Sequence, residues 1–370
     1  MAGSAFGSIL KVTTFGESHG AATGAVLDGC PAGVPLCAGD IQQYLDRRRP
    51  GASPVATARK EPDTVEILSG VFEGRTSGTP IALLIRNSDQ HSSDYDSLKD
   101  VYRPGHADYT FDRKYGIRDH RGGGRSSGRE TAARVAAGAV AAKVLSELGI
   151  TVTAYTKSIG PVEADTSCID PDVIRSLPTA MPDKAADEKA LLYLQGLREK
   201  GDSAGGVIEV IISGLPAGIG EPVFDKLDAR LSAAFMSIGA VKAVEIGDGF
   251  SVSGALGSEN NDSFYEDNDG NIKKRSNHAG GILGGISDGA DIRARLYVKP
   301  TPSISAKQHT VRTDGTETSL SISGRHDPVI VPRAVVVAEM MAALAILDLM
   351  LVNMSSRLEY LKDIYGTDRT

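Results

Sequence analysis

Residues 28–35 read DGCPAGVP, and residues 213–220 read SGLPAGIG. Both contain Gly-x-Pro-Ala-Gly, a spacing of turn residues that stops a strand and redirects the chain. Each follows a strand-like run, TGAVL (23–27) in one case and GGVIEVII (205–212) in the other. Each precedes a helix-like stretch, IQQYLDRR (41–48) and FDKLDARL (224–231). A second echo comes in the same order, TVEILSGVF (64–72) and AVEIGDGF (243–250). The two copies lie about half a chain apart, far too long a period for a solenoid. The alternative is convergent turn chemistry. The repeat predicts two related halves, approximately 1–200 and 201–370, each a strand, a Pro-Gly turn, a helix and further strands. Two such halves sharing one core predict an α+β layered sandwich with approximate internal symmetry, its helices on the outer faces of the sheets.

The chain has 370 residues, a formal net charge of −7 and an apolar fraction of 41%. An acidic total argues against a nucleic-acid or membrane-surface binder. The arginines are clustered instead: Arg47, Arg48 and Arg49, then Arg103, Arg118, Arg121, Arg125 and Arg129. Local positive charge in an acidic chain reads as a pocket for a small anion. Three cysteines, Cys30, Cys37 and Cys168, without CxxC spacing, predict free buried thiols in a reducing cytosol. No signal peptide is evident. The apolar stretch RAVVVAEMMAALAILDLMLVN (333–353) is interrupted by Glu339 and Asp348 and preceded by Pro332, so it predicts a buried core helix rather than a membrane span. Segments 86–97, 181–189 and 257–277 are polar and rich in turn residues, and read as loops.

Segment 120–130, HRGGGRSSGRE, puts four glycines and three arginines before an alanine-rich run. Ser127 and Glu130 have capping-box spacing, and the helix is expected over 129–148, ending at Gly149. A buried helix aims free N–H groups and a positive dipole end at whatever precedes it. With Arg125 and Arg129 as forked donors, this reads as an anion site; a solvated surface loop is the bland alternative. Neither the Walker pattern nor the dinucleotide Gly-x-Gly-x-x-Gly pattern fits. FGESHGAATG (15–24) carries His19, YRPGHADYT (102–110) carries Arg103 and His106, and GRHDPVI (324–330) carries Arg325 and Asp327. NHAGGILGGISDG (277–289) is a second glycine-rich segment, and KPTPSIS (299–305) follows a strand-like run. No His or carboxylate spacing suggests a metal site.

Taken together, TTFGESHG, DRRRPG, RPGHADYT, HRGGGRSSGRE, SIGAVKAVEIGDGF, NHAGGILGGISDGADI, KPTPSI and GRHDP resemble the chorismate synthases nearly end to end. The resemblance implies a β-α-β-α sandwich with a pseudo-twofold repeat, a homotetramer and a cytoplasmic enzyme. It implies conversion of 5-enolpyruvylshikimate 3-phosphate to chorismate with reduced FMN, and NADPH as a reductant linked with Arg48. It implies that His19 protonates the departing phosphate. His106 would sit by the flavin pyrimidine, and Asp327 would relay a proton from flavin N5. Arg48, Arg103, Arg129 and Arg325 would hold substrate anions, with Arg325 shared with flavin. Arg125, Ser126, Ser127, Gly239, Ala240, Gly284, Lys299, Pro300, Thr301, Pro302 and Ser303 would contact flavin. Two departures stand out: Pro54 occupies a usual arginine position, with Arg59 or Arg49 as compensation, and Gly239 replaces a common asparagine. A non-catalytic flavin- or phosphometabolite-binding protein on the same scaffold is the other reading; it would need neither His19 nor Asp327.

Overall fold

The computed structural model describes residues 3–49, 62–88, 98–322 and 327–366. The first half contributes strands β1 (Ala5–Phe6), β2 (Lys11–Gly16), β3 (Ala22–Asp28), β4 (Val65–Ile67), β5 (Val71–Phe72), β6 (Arg75–Thr76) and β7 (Ile81–Arg86). Its helices are α1 (Ala38–Arg48), α2 (Asp108–Tyr115) and α3 (Thr131–Glu147). The second half has β8 (Thr151–Ile159), β9 (Val162–Glu163), α4 (Pro171–Ser176), α5 (Lys184–Glu199), β10 (Gly206–Ser213), α6 (Leu227–Met236) and β11 (Val241–Ile246). There follow α7 (Gly257–Asn260), β12 (Phe264–Glu266), β13 (Ile272–Lys274), β14 (Ile282–Leu283), β15 (Ile286–Ser287), β16 (Ile292–Val298), β17 (Gln308–Val311), β18 (Glu317–Leu320), α8 (Val331–Asn353) and α9 (Leu358–Tyr365).

Four strands of each main sheet follow the same order, and the fifth, at the edge, precedes its neighbour in the first half and follows it in the second. One runs β1-β2-β3-β7-β4; the other, from its own outer edge, runs β9-β8-β10-β16-β11. All pairings are antiparallel, and each half reads β-α-β-α along the chain. The repeat extends to single hydrogen bonds. Gly33 N donates to Thr76 O and Thr76 Oγ1 to Pro31 O; Gly218 N donates to Ser287 O and Ser287 Oγ to Pro216 O. Gly29 and Gly214 share φ near +80°, 84° and 82°, and a Cβ on either would strike the carbonyl oxygen of Ile9 or Gly149. Left-handed backbone against a neighbouring strand admits glycine alone, which is why this motif survives in both copies.

Alternation in β2 and β7 buries one face of the first sheet. The helices that cover it lie inside, not outside. α1 and α3 pack on the first sheet, α6 and α8 on the second, and α8 crosses α3 and α1. The layers are therefore sheet, helices, helices, sheet, correcting the expected outer-face helices. The second sheet also begins at β8, ahead of the expected division near residue 200. Gly138 brings α3 and α8 close; a Cβ there would lie 2.4 Å from Met340 Cβ.

α8 is long and apolar enough to cross a membrane by length and composition, yet 83% of that window is buried inside the fold. Its two carboxylates are satisfied there. Glu339 takes Arg47 at 2.6 Å and Ala154 N at 3.0 Å. Asp348 accepts the backbone N–H groups of Ser8, Ile9 and Leu10 and pairs with Arg230 at 2.9 Å.

Some local expectations fail. Segment 181–189 runs into α5, with Asp183 capping Ala185 N. Segment 257–277 holds α7 and the β12–β13 hairpin, pinned by Asp262, which accepts from Ser276 Oγ, His278 N and Ala279 N. Residues 89–97 lie outside the described residues. Cys30 is buried, which pushes its thiol up to about 11, but Cys37 and Cys168 are exposed.

Candidate active site

α1 ends on Arg48, whose side chain is 1% exposed. Its Nε and Nη2 donate to Asp63 Oδ2 at 3.1 and 2.9 Å, and its Nη1 to Gly128 O at 2.9 Å. Arg129 donates to the other oxygen of Asp63, to Asn87 Oδ1 at 2.8 Å and to Arg86 O at 3.2 Å. Asn87 in turn donates to Glu17 O and Gly20 O, on either side of His19. One fully buried carboxylate thus locks two guanidinium groups, leaving a net positive charge in this corner. Burial first, then the nearby Arg333 and Arg129 cations, outweigh Asp63 and push Arg48 down to about 10.

A second lock mirrors the first. Asp108 accepts Arg103 Nε at 2.8 Å and Nη2 at 2.7 Å, and pairs with Arg118 at 3.2 Å. Arg103 also reaches Gly122 O at 3.2 Å. The His19 ring lies against Gly122, where a Cβ would fall 2.5 Å from it, and His19 Nδ1 meets Ser18 Oγ at 3.1 Å. The glycine of the arginine loop is therefore the floor beneath His19.

Burial alone would raise the Asp108 carboxyl, but the Arg103 bonds and charges outweigh it and hold it below the usual range. A depressed folded-state value stabilises above the unfolded carboxylate's value near 4 and loses that contribution as pH falls through the folded value. Denaturation of Asp108→Asn and the unsubstituted protein should therefore differ at pH 7, the difference shrinking below about pH 4. A difference independent of pH would contradict this ion-pair account.

The turn carrying Arg103 also reaches the second half. His106 Nε2 and Ser303 Oγ are 2.8 Å apart, Lys299 Nζ donates to Gly105 O at 2.8 Å, and Pro302 packs on Gly105. Lys299 N donates to Ala240 O at 2.9 Å, next to Gly239. Pro300 lies on Gly205, and Thr301 O accepts Ser203 Oγ at 2.7 Å. Asp327, 8% exposed, takes Arg333 at 2.8 Å, and the adjoining Pro328 O accepts Ala204 N. Arg333 in turn acts on Arg48 through its charge.

Other expected residues fall differently. Arg125 is committed to Gly16 O and Thr14 Oγ1, bracing β2. Ser126 Oγ donates to Gly123 O. Ser127 caps Arg129 N at 3.2 Å, but Glu130 does not reach back; it binds Thr14 Oγ1 and Arg134. A 3₁₀ turn at 128–130 therefore precedes α3, and the capping box is not formed. Gly284 lies in the β14–β15 turn, where its neighbour Gly285 packs on Lys226 at the start of α6. Arg325, Pro54 and Arg59 lie outside the described residues. Sequence reasoning missed Asp63, Asp108 and Asn87. An acidic residue in a glycine-arginine segment, as in RPGHAD, is the available signal for Asp108; for Asp63 and Asn87 there is none.

A duplicated α+β sandwich whose seam gathers locked arginines, two histidines and a lysine defines an enzyme acting on anionic small molecules. A family model described as Chorismate synthase matches residues 10–351. A chorismate synthase of Lachnoclostridium phytofermentans is 59% identical over 365 residues, covering 99% of this chain and 100% of the relative. That of Lachnospira eligens is 57% identical over 365 residues, with the same coverage. A crystal structure of a chorismate synthase superposes with TM-score 0.76 at 34% identity, over 97% of this chain and 96% of that one. The chain belongs to the chorismate synthase family, and is an enzyme of the lyase class.

Proposed function

We propose that the whole chain works as one domain of two related halves, eliminating phosphate from 5-enolpyruvylshikimate 3-phosphate in a 1,4-anti sense to give chorismate. In this reaction the carbon–oxygen bond to phosphate and a ring carbon–hydrogen bond both break. The observation that carries the reading is the 102–108 turn. It reaches the arginine loop beneath His19 through Arg103, and Ser303 and Lys299 through His106 and Gly105. Arg48, Arg103 and Arg129 would gather the substrate's phosphate and carboxylates, oriented by Asp63 and Asp108. His19 would give a proton to the departing phosphate, and Asp327, steadied by Arg333, would relay onward the proton lost from the ring.

The residues present fit a flavin mononucleotide. Among the described residues, the buried Thr301 Oγ1 has no hydrogen-bond partner, and a Cβ at Gly239 would meet nothing within 4 Å. Lys299, Pro300, Thr301, Pro302, Ser303, Gly239, Ala240, Arg125, Ser126 and Ser127 would hold it; Gly284 and Arg325 join them on the resemblance alone. When bound and reduced, the flavin supplies electron density to the allylic system and recovers it. His106 would present its Nε2 as a proton or hydrogen-bond donor beside the cofactor. NADPH as reductant, a homotetramer and a cytoplasmic location complete the reading. Phosphate release should appear anaerobically with photoreduced FMN and not without it. A folded preparation that releases none with reduced flavin overturns the proposal.

A further inference from the structure

We infer that Asn87 is a positioning residue for the elimination, a carboxamide clamp that fixes the His19 turn to the substrate-gathering Arg129. The inference deepens the reading above and rests on it for the role of His19. Residues 17–20 form a tight turn, closed by Gly20 N on Glu17 O at 3.2 Å, with Ser18 and His19 at its central positions. Asn87 Nδ2 donates to Glu17 O at 2.9 Å and to Gly20 O at 2.8 Å, so one amide group grips both ends of that turn. Asn87 Oδ1 accepts Arg129 Nε at 2.8 Å.

The sheet anchors this clamp. β3 and β7 pair as far as Ala22 and Arg86, and Asn87 N then donates to Ala21 O at 3.1 Å, carrying the ladder one residue past both strands. Arg86 O accepts Arg129 Nη2 at 3.2 Å, so the guanidinium grips the end of β7 through two adjacent residues. A group held at a strand end is placed more precisely than one held on a loop. The His19 ring in turn rests on Gly122, whose carbonyl accepts Arg103 Nη2 at 3.2 Å. His19 is thus tied to Arg129 through its turn and to Arg103 through its floor. The cations that would take the substrate's charges and the group that would protonate its phosphate share one frame.

The chemistry of the three contacts calls for asparagine. The two carbonyl oxygens only accept and the guanidinium only donates, which also fixes which way the amide is turned. Serving all three takes two N–H donors and one acceptor on a short side chain. Aspartate would set a carboxylate against two carbonyl oxygens. Arg129 keeps a charged partner in Asp63, so it stays in place without Asn87, whereas the His19 turn loses a tie at each end. The two roles therefore separate. Substrate affinity depends on Arg129 and survives, while proton transfer depends on where the ring stands. A displacement of about 1 Å costs on the order of 10²-fold in rate.

Asn87→Leu keeps the volume and offers no hydrogen bond; Asn87→Ala leaves room for a bridging water. Both should be compared with the unsubstituted protein under anaerobic conditions with photoreduced FMN. The expected result for Asn87→Leu is a kcat lower by about ten- to a hundredfold with KM within about threefold, the mark of an interaction that acts in the transition state. Asn87→Ala should lose less. In the protein without flavin or substrate, the His19 ring signals in a nitrogen-15 NMR spectrum, assigned with His19→Gln, should shift in Asn87→Leu. An unchanged kcat in folded Asn87→Leu overturns the inference, as does a loss confined to KM or a ring signal that stays in place. If Asn87→Leu does not fold, Asn87→Ala decides by the same split and the same signals. Should the unsubstituted protein release no phosphate, the proposed reaction falls, and the ring signals still decide whether Asn87 holds His19.

Discussion

Asp63→Ala is expected to lower the free energy of unfolding by about 3–5 kcal/mol, the usual consequence of removing one partner from a buried ion pair. Asp63 is fully buried and each of its oxygens serves a different arginine, Arg48 and Arg129, themselves 1% and 4% exposed. Its loss strands two desolvated guanidinium groups that already repel each other. Against a total stability of about 5–15 kcal/mol this is a large fraction. Asp63→Asn should cost less, because asparagine keeps one hydrogen-bonding oxygen and tolerates the left-handed φ of 50° at this position. The exposed pair Arg121–Asp119, of similar length at 2.8 Å, should contribute far less, since water screens it. Urea denaturation measures all three. An Asp63→Ala shift under about 1 kcal/mol would mean that these arginines are not held by their shared carboxylate.

His106→Ala should lower turnover by about 10²-fold or more, the scale of a positioned proton donor or acceptor, while the fold survives. The turn around it is braced independently of the ring, by Arg103 on Asp108 and by Lys299 on Gly105 O. The thermal midpoint should therefore move little, and steady-state kinetics under anaerobic, flavin-reducing conditions read the chemistry. A near-normal rate in the folded variant removes His106 from the mechanism.

The duplicated fold was legible because its signal is local. Positive φ at Gly29 and Gly214, against a neighbouring carbonyl, leaves no residue but glycine, so both turns open on the same residue. The core helix α8 was legible for a similar reason: a run that apolar, broken by two carboxylates, belongs in a protein interior. What holds those carboxylates was not legible, since Asp348 is served by Ser8, Ile9 and Leu10 from the other end of the chain. Strand alternation shows that one face is buried but not what buries it, hence the misplaced helices. Polar composition at 257–277 concealed a hairpin, because Asp262 and Ser276 close its base with a side-chain hydrogen bond.

The candidate site divides along the same line. Sequence by itself singled out the segments proposed to carry the chemistry, with His19, His106, Arg48, Arg103, Arg129 and Lys299 in or beside glycine- and proline-marked turns, since turn geometry is set within a few residues. Tertiary structure alone decided that Asp63 and Asp108 each hold two of the arginines, and that Gly122 lies beneath His19. Those are contacts between residues far apart in the chain, formed when desolvated charges must find partners, and no local pattern encodes the partner's position.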